Sequence, residues 1–239
     1  MKDREHEVSN GDLSRYKDRY REAVQDSIAF LGRDLDFFTE VKARYLIDLA
    51  NRRLGDPKRI SVLDVGCGIG QTDRFLTANL GALYGVELSE GLIEKAAQAN
   101  PAAHYRVYDG KILPFSDNTM DLVFAICVMH HVPPASWEDF VREMKRVTKI
   151  GGLVVVFEHN PLNPLTRHAV NRCAFDTNAV LIGLDKMRRL FLGSGLHLLE
   201  QRYILFFPFR WWVFASIERR LKWLPLGAQY YVVGKKLDG

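Results

Sequence analysis

Short apolar runs alternate with amphipathic segments through the middle of the chain. The apolar runs predict strands at 60–65, 82–87, 103–108, 120–126 and 152–158. The amphipathic segments predict helices at 71–79, 90–100 and 136–149. Runs such as 153–157 are apolar throughout, which is typical of strands buried on both faces. Strands alternating with helices form right-handed βαβ units, so the pattern predicts an α/β fold with a Rossmann-like, doubly wound sheet.

The pattern changes on both sides of this region. Apolar residues recur every three or four positions between 13 and 54, including Leu35, Phe38, Val41, Tyr45 and Leu49. They predict an N-terminal helical cap over 1–55, which the Gly-Asp-Pro sequence at 55–57 ends. The remaining chain, 56–239, is predicted to form one domain with two insertions, at 159–184 and 207–227. Its last elements are predicted as a helix at 184–192 and strands at 196–206 and 228–236.

Composition and charge exclude several classes of protein. Hydrophobic residues make up 47% of the chain and charged residues 26%, so it is neither disordered nor fibrous. The net charge of +4 is too small to indicate nucleic-acid binding. Three widely spaced cysteines predict neither disulfides nor a metal site, and with a charged N-terminus that lacks an apolar signal they favour a cytoplasmic protein.

The most apolar segment, residues 203–217, is too short for a spanning helix, which needs ~20 residues. Trp211, Trp212 and Trp223 lie beside basic residues, a composition typical of a helix on a membrane surface. The segment is therefore predicted to contact a membrane, or alternatively to pack against the sheet edge or to build the acceptor pocket and a dimer contact.

A glycine-rich loop follows the first predicted strand. In doubly wound sheets the first strand-to-helix turn lies closest to the ligand. Here that turn contains Gly66, Gly68 and Gly70, and Asp64 precedes it. The dinucleotide fingerprint requires Gly or Ala where this chain has Gln71, which excludes a nicotinamide dehydrogenase. The spacing is instead that of S-adenosylmethionine sites, whose positive sulfonium suits a carboxylate such as Asp64.

Two further acidic residues lie at or beside the ends of the next two predicted strands. The Glu87 carboxylate is placed to accept hydrogen bonds from both ribose hydroxyls of a nucleoside. Asp109 is placed to accept one from the adenine amino group. Three acids in this order, together with the glycine loop, form a much more specific pattern than any one of them.

These motifs, with "GVELSE", "DGKILPF" and "DLVFAICVMHHV", resemble those of the class I S-adenosylmethionine-dependent methyltransferases, in their small-molecule branch. The resemblance covers about 60–158 and implies a seven-stranded sheet whose last strand is antiparallel. It also implies S-adenosyl-L-methionine as the cofactor. The residues that it assigns to cofactor binding are Asp64, Gly66, Cys67, Gly68, Glu87, Leu88, Asp109, Gly110, Cys127 and His130.

Methyl transfer needs a nucleophile aligned ~3 Å behind an activated methyl group. A hydroxyl acceptor also needs a base, for which histidine is the usual choice. His131 and His159 follow two neighbouring predicted strands and are the candidate catalytic residues. The alternative role is that of a residue at a helix start, hydrogen-bonded to the backbone. No ligand set has the spacing of a zinc site, so no metal is predicted.

Candidate acceptor-binding residues lie at the end of the strand 152–158 and in the insertion that follows it. They are Glu158, Asn160, Arg167 and Arg172. The two arginines suit a phosphate or carboxylate, or alternatively form surface ion pairs with acids such as Asp176.

The sequence therefore predicts transfer of a methyl group to a small-molecule or lipid-linked acceptor, with oxygen as the favoured atom. The acceptor is expected to be anionic or lipidic, and the protein to be a monomer or homodimer that binds no nucleic acid. Two alternatives remain: a catalytically silent protein that binds the cofactor or its product for assembly, and a peripheral membrane methyltransferase acting on a polyprenyl or glycan intermediate.

Overall fold

A computed structural model of the protein describes residues 20–29, 34–206 and 224–238. The helices are α1 Tyr20–Ile28, α2 Leu35–Arg53, α3 Asp73–Leu76, α4 Glu90–Ala99, α5 Trp137–Val147, α6 Pro164–Arg172 and α7 Leu184–Gly193. The strands are β1 Ser61–Val65, β2 Ala82–Glu87, β3 His104–Val107, β4 Met120–Ile126, β5 Thr148–His159, β6 His197–Ile204 and β7 Gln229–Lys235. Single turns of 3-10 helix occur at Pro57–Arg59, Met129–His131, Pro134–Ser136 and Ala174–Asp176.

The seven strands form one sheet in the order β3-β2-β1-β4-β5-β7-β6. β1 to β5 are parallel, whereas β7 is antiparallel to both of its neighbours, β5 and β6. The strand order reverses between β1 and β4, which is where doubly wound sheets open a crevice for a ligand. The predicted Rossmann-like fold with an antiparallel last strand is therefore confirmed.

The central strands are buried on both faces because their side chains alternate between two cores. Leu63, Val123 and Val154 point into a core shared with α5 and α7, and Val62, Leu122 and Val155 point into a core shared with α2. Since both faces are covered, these strands carry apolar residues at consecutive positions.

Helix α2 shares its core with the sheet. Asp34 begins it by accepting a hydrogen bond from the Phe37 amide at 2.9 Å. Its buried positions are Leu35, Phe37, Thr39, Lys42, Ala43, Leu46, Leu49 and Ala50. Three residues of the predicted stripe, Phe38, Val41 and Tyr45, are only partly buried because the buried face is rotated by about one position. The division of the chain at residue 55 stays a prediction.

The predicted helix 71–79 is wrong in length: only Asp73–Leu76 is α-helical. The turns of the glycine loop extend up to Thr72, and hydrogen-bonded turns replace regular helix after Leu76. The strand predicted at 152–158 begins earlier, at Thr148, because Thr148 is already extended where α5 ends.

No helix within the described ranges is long and apolar enough to span a membrane. The tryptophan-rich part of the segment 207–227, on which the membrane hypothesis rests, lies outside the described residues, which resume at 224.

Candidate active site

The glycine loop is held close to β2 by backbone hydrogen bonds. The amides of Gly66 and Cys67 both donate to the Val86 carbonyl, at 2.8 and 3.0 Å. Gly66, Gly68 and Gly70 have φ values of 77°, 55° and 69°, a region that side chains disfavour. A Cβ on Gly66 would lie 2.6 Å from Cγ2 of Val128. The loop therefore requires glycine for its conformation, and at Gly66 also for packing.

Glu87 lies at the end of β2 and is hydrogen-bonded to the glycine loop. Its carboxylate accepts from the Gly68 amide at 3.1 Å and from the Leu88 amide at 2.7 Å. Burial raises the pKa of Glu87, and these backbone hydrogen bonds oppose the rise. The Ser89 amide donates a third, longer bond at 3.4 Å. A carboxylate has about four acceptor positions, so Glu87 retains about one, and its predicted bonds to the two ribose hydroxyls stay a prediction.

Asp64 and Asp73 form a buried carboxyl pair beneath the loop. Asp73 is fully buried and its Oδ2 accepts a hydrogen bond from the Tyr105 hydroxyl at 2.7 Å. Burial, and then the neighbouring Asp73, raise the pKa of Asp64 well above its usual value. Asp73 and Tyr105 were missed by sequence reasoning because Asp73 was read as part of a longer helix and Tyr105 as part of a strand.

Oδ1 of Asp64 is buried and has no hydrogen-bond partner among the described residues. An unsatisfied buried acceptor is unfavourable unless a ligand supplies a donor. S-adenosylmethionine carries an ammonium group and a sulfonium, both cationic, and Asp64 with the glycine loop suits such a ligand. The residues present fit the cofactor that the sequence predicted.

Asp109 is exposed and follows β3 by two residues. Its Oδ1 accepts from the amides of Lys111 and Ile112, both at 2.8 Å, and these bonds lower its pKa. Gly110 has a φ of 80°, and a Cβ there would lie 3.0 Å from Leu88. The backbone turn thus orients Asp109, whose predicted bond to adenine stays a prediction.

Cys127 marks the end of β4 with a backbone φ of 55°, which is rare for a residue other than glycine. Its amide donates to the Phe157 carbonyl at 2.9 Å. Burial raises the pKa of its thiol to about 11, so Cys127 is a neutral thiol and not a nucleophile. Strained backbone of this kind concentrates at functional sites, which fits its predicted place beside the cofactor.

A cluster of histidines and carboxylates follows Cys127. Nδ1 of His130 lies 2.7 Å from Oε2 of Glu158, and both side chains are buried. On the other side of the ring, His130 Nε2 lies 3.4 Å from Oδ1 of Asp176. Burial disfavours the cation, but the two carboxylates outweigh it and raise the pKa of His130 well above its usual value. Glu158, predicted to bind the acceptor, is instead fully buried and positions His130.

The two candidate catalytic histidines lie at the edges of this cluster. His131 is half-buried, and its Nε2 also lies 3.4 Å from Oδ1 of Asp176. His159 stacks at a ring distance of 5.1 Å from His130, and its Nδ1 lies 3.4 Å from Nε2 of Gln229. Burial and the adjacent cationic His130 lower the pKa of both to about 4, so both are neutral near pH 7.

The insertion after β5 supplies Asp176 to the cluster, a role that sequence reasoning missed because Asp176 was considered only as a partner for arginine. Arg167 and Arg172 are exposed on α6, and neither has an ion pair within the described part of the chain. Asn160 is buried: its side-chain amide donates to the carbonyls of Pro225 and Gly227 at 3.0 and 2.7 Å. It joins two chain segments and does not face an open site.

Residues 63–156, which contain the glycine loop, Glu87 and Asp109, match the family described as "Methyltransferase domain". Residues 63–156 are therefore a methyltransferase domain of the S-adenosylmethionine-dependent class. S-adenosylmethionine is accordingly the cofactor of this domain, as predicted.

Relatives and solved structures agree with this assignment. The chain is 34% identical over 108 residues to a 2-methyl-6-phytyl-1,4-hydroquinone methyltransferase of Synechocystis. The alignment covers 44% of this chain and 33% of that protein. It is also 33% identical to a 27-O-demethylrifamycin SV methyltransferase of Amycolatopsis mediterranei, in an alignment that covers 38% of this chain and 35% of that protein. The chain thus spans about a third of the length of these curated relatives.

A solved geranyl diphosphate methyltransferase in complex with SAM has a TM-score of 0.61 at 17% identity, covering 83% of this chain and 85% of that one. At this identity the likeness shows the fold alone.

Proposed function

We propose that this methyltransferase acts on a hydroxyl oxygen of a small organic acceptor. The observation that carries the proposal is a pair of neutral histidines, His131 and His159, at the carboxyl edge of β4 and β5. Either imidazole is able to accept the proton that a hydroxyl loses as it becomes a nucleophile. Two relatives act on small molecules by their names, and one of these names, 27-O-demethylrifamycin SV methyltransferase, supports oxygen as the methylated atom.

The proposed division of roles follows the geometry. When bound, the cofactor supplies a methyl group already activated for displacement. Asp64, Glu87, Asp109 and the glycine loop would bind and orient it, with Leu88 and Cys67 contributing backbone, and Cys127 and His130 at its methionine end. His130, fixed between Glu158 and Asp176, would hold His131 in place. The remaining task of the chain is to remove the hydroxyl proton and exclude water.

We further propose that the acceptor has a long apolar chain and is met at the cytoplasmic surface of a membrane. Support comes from the word phytyl in the name of one relative and from the aromatic and basic composition of 207–223. Co-sedimentation with anionic vesicles at low salt tests this part: a protein found wholly in the supernatant would contradict it. The methyl-transfer proposal does not depend on the result.

Calorimetric titration with S-adenosylhomocysteine tests the cofactor site. Micromolar binding is expected, with at least ~10-fold weaker binding for Glu87→Ala, equivalent to ~1.4 kcal/mol. Glu90→Ala is the matched control, because Glu90 is exposed at the start of α4, and it should bind normally. NAD should not bind. Absence of S-adenosylhomocysteine binding would overturn the site assignment.

Incubation with S-adenosylmethionine and a panel of hydroquinones, phenols and aliphatic alcohols tests the reaction. Mass spectrometry should detect a methyl ether from at least one class. Substitution of the base, by His131→Asn or His159→Asn, should lower kcat by ~10²–10⁴-fold while leaving S-adenosylhomocysteine affinity unchanged. Tight cofactor binding without a methylated product from any hydroxyl, amine or carbon acceptor would favour a silent assembly protein.

A further inference from the structure

We propose that His130, His131 and Asp176 form a binding site for a divalent transition-metal ion, with Zn²⁺ as the expected ion. One atom from each residue contributes: Nε2 of His130, Nε2 of His131 and Oδ1 of Asp176. Each of the three residues offers a ligand atom within 4.8 Å of those of the other two, and Oδ1 of Asp176 lies 3.4 Å from each Nε2. The sequence predicted no metal because these residues do not have the spacing of a known zinc motif: Asp176 lies 45 residues from His131.

The distances match a tetrahedral site. Both histidine nitrogens lie 3.4 Å from the same Asp176 oxygen. With metal–nitrogen and metal–oxygen bonds of about 2.0–2.1 Å, neighbouring ligand atoms of a tetrahedral zinc ion are about 3.3–3.4 Å apart. Hydrogen bonds would place these atoms closer, at about 2.7–3.2 Å. Each histidine nitrogen is therefore spaced from the Asp176 oxygen as two ligands of one ion would be.

Glu158 provides the outer support that such sites use. Metal-binding histidines commonly donate their other ring N–H to a carboxylate, which fixes the tautomer and the orientation of the ring. Nδ1 of His130 lies 2.7 Å from Oε2 of the buried Glu158, which leaves Nε2 free to face Asp176. A divalent cation would also balance the two carboxylates of Glu158 and Asp176 in this poorly solvated place.

The surrounding backbone holds the ligands in position. His130 and His131 belong to the 3-10 turn Met129–His131, and the carbonyl of His130 accepts from the Val180 amide at 2.9 Å. Asp176 ends the 3-10 turn Ala174–Asp176, where its amide donates to the Cys173 carbonyl at 3.1 Å. The insertion after β5 thus brings Asp176, the third proposed ligand, to the end of β4.

Three protein ligands leave one tetrahedral position open, as in catalytic and unlike structural zinc sites. His131 is the most accessible of the three, with 35% of its side chain exposed against 1% for His130 and 10% for Asp176, so the open position would lie on its side of the site. This consequence rests on the proposed function: the open position would take the acceptor oxygen. His131 would then be a ligand, and His159 would remain as the base.

Cobalt(II) titration of the chelator-treated full chain tests the site. We expect one Co²⁺ per chain with the visible d–d absorption of a tetrahedral ion, and displacement of the Co²⁺ by Zn²⁺. Asp176→Asn and His131→Gln, which keep the size of the side chain, should each weaken binding at least ~100-fold. Glu158→Gln should weaken it about 10–100-fold.

Two histidine controls separate this site from surface binding. His197→Gln removes an exposed histidine on β6, and His159→Gln removes a neighbour of the cluster that is outside the ligand set. Both should bind Co²⁺ within about 3-fold of the wild type. Equal loss in these controls, unchanged binding in both Asp176→Asn and His131→Gln, or no tetrahedral spectrum in the wild type would overturn the proposal. Circular dichroism of each variant verifies folding.

Failure here is distinguishable from failure of the proposed function. Methyl transfer and S-adenosylhomocysteine binding that persist in chelator-treated protein, without Co²⁺ binding, would overturn the metal site and leave the methyltransferase proposal intact. Tetrahedral Co²⁺ binding without any methyl transfer would support the metal site and overturn the methyltransferase proposal.

Discussion

Gly66 and Gly151 have similar backbone conformations in different surroundings. Their φ values are 77° and 83°, yet a Cβ on Gly66 would meet Val128 at 2.6 Å, whereas a Cβ on Gly151 would meet nothing within 4 Å. The pair therefore separates backbone strain from steric overlap at single residues.

Gly66→Ala is expected to lower the free energy of unfolding by ~1–3 kcal/mol more than Gly151→Ala, because overpacking adds to strain. Strain alone accounts for ~1–2 kcal/mol. Urea denaturation measures both. Adding Val128→Ala to Gly66→Ala should recover part of the difference, and no recovery would argue against the overlap.

Asp73 gives a pH dependence whose sign follows from burial. Burial raises its pKa from 3.8 to about 6, although the hydrogen bonds from Tyr105 and Asp64 oppose the change. The folded protein therefore binds this proton more tightly than the unfolded chain, so stability falls as the pH rises from about 4 to about 6.

Asp73→Asn removes this titration and still accepts the Tyr105 hydroxyl. In thermal scans without ligand, the Tm of the variant minus the Tm of the wild type should increase as the pH rises from 4 to 6.5. Asp139→Asn is the control, since Asp139 is 78% exposed on α5, and its Tm difference should stay constant. A constant difference for Asp73→Asn as well would refute the raised pKa.

Among single residues, Asp64, Glu87 and the glycines could be proposed as site residues from the sequence, because each lies in a local motif; their contacts with the cofactor stay predictions. Asp73, Tyr105 and Asp176 required the fold. Tyr105 contacts Asp73 from 32 positions away, and Asp176 reaches the histidines only through the path of α6. No periodicity or spacing in the sequence encodes such contacts.

At the scale of elements, the predicted strands 82–87 and 120–126 coincide with β2 and β4. Long apolar runs bounded by polar residues define these strands well. Helices were less well predicted where another structure competes with them, as at α3, where the glycine loop occupies positions that the apolar pattern gave to a helix.

Asn160 connects the insertion after β5 to the segment before β7. It donates to the carbonyls of Pro225 and Gly227, and its Oδ1 accepts from the Leu162 amide at 3.0 Å. Asn160→Ala leaves these three backbone groups without partners. We expect a loss of about 2–4 kcal/mol of unfolding free energy. The bond to Gly227 is buried, where an unsatisfied group costs ~1–3 kcal/mol, and the two part-buried bonds add less because water can reach their backbone groups.

Urea denaturation measures this loss. Asn51→Ala serves as the control, because exposed Asn51 makes one side-chain bond, to Ile47 on the same helix. It should change stability by less than about 0.5 kcal/mol. Equal effects in the two variants would mean that the Asn160 contacts do not hold the segments together.

At the scale of the whole molecule, cofactor binding should couple to global stability because the ligand binds only the folded sheet edge. S-adenosylhomocysteine at 100 times its Kd should add about 2.7 kcal/mol to the free energy of unfolding. For a domain of 150–250 residues this raises Tm by roughly 5–10 °C. Differential scanning fluorimetry with NAD as the control checks the shift, and an equal shift with NAD would contradict the assigned specificity.

The position of β7 constrains how the chain can be assembled. β7 lies between β5 and β6, which precede it in sequence and do not pair with each other. During synthesis, β6 therefore has no neighbour until residues 229–235 have left the ribosome, so its edge stays unsatisfied while the other five strands can already pair. Ribosome-bound chains that stop before β7 are thus expected to expose an unpaired strand edge, the kind of surface that chaperones and aggregation both recognise.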